Sequence, residues 1–119
     1  MMTTNENASH PFHVYEVAKE LARAVRILIE RIERRDRSLA DQLRRAVQSV
    51  MLNVREGNRR AGRDRLYGFR IAAGSADEIV GALDVAEVMG YLAVEDLAAP
   101  MALADRVLAM LYRLANPRR

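Results

Sequence analysis

Cysteine and tryptophan are absent, proline occurs three times, and only six residues are Phe or Tyr. The first absence excludes disulfides, thiolate metal sites and cysteine nucleophiles together. So few aromatics leave the core to Ala, Val, Leu, Ile and Met, a mixture that favours helices over strands. No apolar run approaches the roughly 20 residues that a membrane span requires. The opening MMTTNENASH lacks the basic and apolar regions of a secretory leader. A cytoplasmic protein without membrane contact is expected, and 119 residues suit one domain.

Basic charge is unevenly placed. Residues 23–70 hold fourteen arginines against six acids, a net of +8, whereas residues 71–105 hold seven acids and no Lys or Arg, a net of −7. All basic residues but Lys19 are arginine, the side chain that forks onto phosphate and stacks on bases.

Periodicity gives four helices. Val14, Ala18, Leu21, Ala22, Val25, Leu28, Ile29 and Ile32 recur at steps of three and four, which predicts a helix over 13–35. Ser38, followed three residues on by Asp41, resembles a cap for a second helix over 39–57 that carries Leu39, Leu43, Ala46, Val47, Val50 and Val54. Gly57 and Gly62 bracket an arginine-rich turn. A third helix then follows on Leu66, Phe69, Ala73, Ala76, Val80 and Leu83 and ends near Gly90. A fourth follows from Val94 to Ala115, with Pro100 tolerated near its first turn. Short connections make neighbours antiparallel, so the expected architecture is an all-α, up-down-up-down four-helix bundle over 13–116, between a disordered tail (1–12) and a C-terminal tail (117–119). The apolar arc of the third helix is wider than one neighbour needs. Ala72, Ala76, Ile79, Ala82 and Ala86 are therefore candidates for an oligomer interface, the alternative being that this helix is central within one subunit.

The words FHVYEVAKEL, LADQLRRAVQSVMLNVREGNRR, FRIAAGSADEI and MGYL, in this order over nearly the whole chain, resemble the four-helix-bundle proteins encoded in intervening sequences of bacterial 23S ribosomal RNA genes. These in turn are distantly similar to the accessory proteins of diversity-generating retroelements. The resemblance implies a basic homopentameric ring, no enzymatic activity, and work beside nucleic acid and a reverse transcriptase. Two positions depart from the family pattern: Arg55 stands where a small residue is more usual, and Gly62 stands near where a hydroxyl residue often caps the third helix.

Ser49, Asn53 and Glu56 share one helical face, and Ser75 and Glu78 form a second polar pair. The family motif contains Asn53, Glu56, Gly74, Ser75 and Glu78, which implies a structural polar network between helices or subunits. No nucleophile, base and orienting group stand together, so catalytic residues are not expected. His10 and His13 are the only histidines, too few ligands for a metal, and no cofactor is implied. The remaining candidates are Arg44, Arg45, Arg55, Arg59, Arg60, Arg63, Arg65 and Arg70. They would position phosphates without reading bases, since no groove-reading motif or exposed aromatic platform is evident in the sequence. An ordinary solvated surface, neutralised by Glu56, Asp64 and a neighbouring subunit, is the alternative. Two function classes follow: a non-enzymatic, oligomeric RNA- or DNA-binding accessory protein, and an oligomerisation scaffold without nucleic acid.

Overall fold

The computed structural model describes residues 11–116; the expected tails fall largely outside that range. Four helices contain most of it: α1 (Pro11–Glu33), α2 (Arg37–Arg59), α3 (Gly62–Val88) and α4 (Ala98–Ala115), the last preceded by a 3-10 turn over Val94–Leu97. No strand occurs among the described residues. Each helix packs on two others, in the cyclic order α1, α2, α3, α4 and back to α1.

Most positions of the expected stripes form the core, joined by Val17 and Val107, which lie outside those stripes, while Leu66, Ala73 and Val80 of α3 are only half-buried. Val14, Val17, Leu21, Val25 and Ile32 of α1 are buried, as are Leu43, Val50 and Val54 of α2, Phe69 and Leu83 of α3, and Val107 and Leu111 of α4. The wide arc of α3 is accounted for within the chain, because α3 lies between α2 and α4. Ala72, Ala76, Ile79 and Ala86 are fully buried against their own protomer and Ala82 is half-buried. Their burial requires no second copy.

The connections differ from expectation in two places. Asp36, not Ser38, caps α2: its Oδ1 accepts from the Leu39 N–H at 2.9 Å, satisfying one of the free donors of the first turn. Gly57 does not bracket the turn but is buried inside α2, whereas Gly62 has a φ of 59°, which a side chain would disfavour. Ala61 precedes α3 without any side-chain cap. At the far end of α3, Gly90 (φ 80°) closes a Schellman turn, with Tyr91 N–H on the Ala86 carbonyl and Gly90 N–H on that of Glu87.

The α1–α2 turn and the α3–α4 connection meet. The Tyr91 hydroxyl donates to Asp36 at 3.2 Å, and Arg31 donates to Asp96 at 3.1 Å. That bond, followed by one from the Ala93 N–H, holds the Asp96 carboxyl below its ordinary pKa. A carboxyl whose pKa falls on folding stabilises the fold above its unfolded pKa, and the contribution is lost as pH falls through the folded value. Asp96→Asn should therefore be less stable than the natural chain at neutral pH, with the gap closing as the pH falls below the ordinary aspartate pKa of about 3.9. Urea midpoints on both sides of that value check it.

Candidate nucleic-acid interface

Exposed residues of α2 at steps of three and four, Arg45, Gln48, Leu52, Arg55 and Arg59, make one outward stripe. It runs about 21 Å at 1.5 Å per residue. Beyond the turn, Arg63 and Arg70 continue an exposed basic surface on α3. Among the described residues, Arg45, Arg59, Arg63 and Arg70 make no ion pair. Arg55 lies over the ring of Tyr15, 5.8 Å from its centroid.

The other three candidates hold parts of their own chain. Arg44 bridges Glu33 and Asp41. Arg60 bonds Glu56 at 2.8 Å, and this bond chiefly holds the Glu56 carboxyl below its ordinary pKa. Arg65 donates Nε to the Gly57 carbonyl at 3.2 Å and Nη2 to that of Asn58 at 3.3 Å, so it closes the last turn of α2. Arg45, Arg55, Arg59, Arg63 and Arg70 are exposed and make no such bond among the described residues.

The polar network is smaller than the sequence suggests. Ser75, 6% exposed, donates to Ser49 Oγ at 2.6 Å, and Asn53 Nδ2 donates to the Ser49 carbonyl at 2.9 Å and its Oγ at 3.1 Å. This set ties α2 to α3. Glu56 and Glu78 stay outside it, exposed, Glu56 on the guanidinium of Arg60. Ser49→Ala would leave the Ser75 hydroxyl unpaired and should cost about 1–3 kcal/mol. The double replacement Ser49→Ala, Ser75→Ala should recover part of that loss, as thermal or urea unfolding would report.

Two residues escaped the sequence reading. Tyr67 and Tyr112 are 66% and 68% exposed. Tyr67 lines a cleft of about 320 Å³ with Asn53, Glu56, Arg60, Asp64 and Gly68. Tyr112 lines a groove of about 520 Å³ with Arg70, Arg113, Ala73 and Leu108 among others. A signal existed: Tyr67 stands four residues after Arg63 and three before Arg70, on one helical stripe. No group of three or more His, Asp or Glu side chains among the described residues is placed to hold a metal, and no described helix is long and apolar enough to cross a membrane.

Fold and surface together define an all-α four-helix protein with arginines along two outward helix stripes. Residues 11–113 match the model of the 23S rRNA-intervening sequence protein family, and the chain belongs to that family. A crystal structure of a protein of unknown function from the S23 ribosomal protein family of Bacteroides thetaiotaomicron VPI-5482 has the same fold. It superposes with a TM-score of 0.78 at 21% identity, over 87% of this chain and 98% of that one. No curated protein matches the chain.

Proposed function

We propose that this chain is a non-enzymatic nucleic-acid-binding protein that grips the phosphate backbone of RNA or DNA through Arg45, Arg55, Arg59, Arg63 and Arg70. The observation that carries the reading is the row of exposed guanidinium groups on α2 and early α3, none of them with an ion-pair partner among the described residues. Such a row suits a polyanion and carries no base code. RNA and DNA strands of unrelated sequence, titrated at low salt, should therefore bind with similar affinity. Absence of binding to both rejects the reading.

The same proposal includes the antiparallel up-down-up-down order, which the short connections and the bonds between the α1–α2 and α3–α4 links support. It also includes self-association. The opposite charges of residues 23–70 and 71–105 suit a contact between the basic surface of one copy and the acidic surface of the next, which closes into a ring. Family resemblance suggests five copies, and a ribonucleoprotein or a reverse transcriptase as the assembly served in the cytoplasm. Light scattering should give a mass well above 13.4 kDa at micromolar concentration; a mass near 13.4 kDa rejects self-association.

A further inference from the structure

The four tyrosines divide into two pairs. Tyr15 and Tyr91 are half-buried and engaged: Lys19 lies 5.3 Å and Arg55 5.8 Å from the Tyr15 ring centroid, while Tyr91 lies under Arg35 at 5.4 Å with its hydroxyl on Asp36. Tyr67 and Tyr112 are two-thirds exposed, and among the described residues neither makes a side-chain hydrogen bond or a cation contact. A single exposed tyrosine is ordinary. What distinguishes these two is their surroundings.

On α3, Arg63 stands one turn before Tyr67 and Arg70 one turn after it, neighbours on the same stripe. Arg70 also lines the groove of Tyr112, together with Arg113 of α4. Arg70 thus stands one turn from Tyr67 and shares a groove with Tyr112, with Arg63 on the far side of Tyr67 along α3 and Arg113 in the same groove as Tyr112. None of these three arginines makes an ion pair among the described residues. The acids of the Tyr67 cleft, Glu56 and Asp64, are offset by Arg60, which bonds the first and lies in the field of the second. Gly68, whose backbone packs on α2, also lines that cleft. Groove walls beside Tyr112 are apolar: Ala73, Leu108 and Ala115.

We infer that Tyr67 and Tyr112 are base-stacking platforms, and that the ligand of this face is an unpaired nucleic-acid strand. The inference rests on the phosphate-gripping reading above and narrows it. A tyrosine ring stacks only on a base whose face is free; in a duplex those faces are covered by neighbouring pairs, whereas an unpaired strand can splay its bases onto the rings. Phosphates between the bases then meet Arg63, Arg70 and Arg113. Stacking tolerates any base, which agrees with a surface that has no donor–acceptor code. Three unpaired cations around two flat rings fit alternating phosphate and base better than they fit an apolar protein patch.

The test compares an unpaired oligonucleotide with a duplex of equal strand length, against the natural chain and the variants Tyr67→Ala, Tyr112→Ala, Tyr67→Phe and Tyr112→Phe. Each alanine variant should lose roughly tenfold in affinity for the unpaired strand. Duplex affinity and the salt dependence should not change, because no phosphate contact is removed. Each phenylalanine variant should bind as the natural chain does, since it keeps the stacking face. The inference is overturned if the alanine variants bind the unpaired strand normally, or if their affinity for strand and duplex falls equally. It is overturned also if they bind normally but scatter light as a smaller particle, which would make the rings a contact between copies. Binding that ignores the tyrosines leaves the arginine reading standing; no binding by the natural chain removes both.

Discussion

Gly57→Val should lower the stability of the fold by about 3 kcal/mol. A Cβ at Gly57 would stand 2.6 and 2.7 Å from Cε1 and Cδ1 of Phe69 and 3.3 Å from the Arg65 carbonyl oxygen. The Phe69 ring is fully buried and cannot swing aside without displacing its neighbours. Across the same contact, a Cβ at Gly68 would meet backbone: 3.1 Å from the Asn53 carbonyl oxygen and 3.2 Å from the Cα and N of Gly57. Two glycines therefore let α2 and α3 touch beside the turn, and that contact places the stripe of α2 next to the start of α3. Gly74 and Gly81 provide the comparison, since nothing lies within 4 Å of a Cβ built there. Alanine at either should stabilise by about 0.5–1 kcal/mol through lower chain entropy in the unfolded state. Urea denaturation of these three variants would give one sign for Gly57→Val and the opposite sign for the two alanines. An unchanged midpoint for Gly57→Val would refute the close crossing.

The joint replacement Arg55→Glu, Arg59→Glu, Arg63→Glu should weaken binding to RNA or DNA by roughly a hundredfold or more at low salt, and should make the slope of log K against log salt shallower by about three. All three side chains are exposed and none makes an ion pair among the described residues, so the fold should survive. Two controls separate charge from structure. Arg65→Ala removes the guanidinium from the Gly57 and Asn58 carbonyls and should cost about 1–2 kcal/mol of stability without altering the slope. Arg106→Glu, exposed on α4 outside the arginine stripes, should change affinity little at about 0.1 M salt, where the screening length is about 10 Å. A loss in log K for Arg106→Glu about one third of that for the triple replacement, in proportion to the charge changed, would mean that only net charge matters.

Helix number and core stripes were legible because steps of three and four survive any packing detail. Leu21, Leu43 and Leu111 could only face inward. The cap of α2 was misplaced because Asp36 and Ser38 are both good acceptors two residues apart, and only the backbone decides which meets the Leu39 N–H. Gly57 read as turn punctuation because its clash partner, Phe69, lies on the next helix. The width of α3 was visible in the sequence, but not whether α4 or a second copy covers it. Of the engaged arginines, Arg44 with Asp41 and Arg60 with Glu56 stand at helical pairing distances and could have been foreseen. Arg65 could not, since the carbonyls it bonds leave no mark on composition. Tyr67 and Tyr112 were missed because exposure is a property of the packed molecule, and an aromatic at helical spacing reads first as core.

The central claim, that exposed arginines on α2 and α3 hold a phosphate backbone, is tested most directly by measuring the affinity of the natural chain for RNA and for DNA across a salt series. Tight binding at low salt that falls linearly in log K against log salt, with a slope of about −3 to −5, is the predicted result for the five arginines. No binding to either polymer at the lowest salt, or binding that ignores salt, would contradict it.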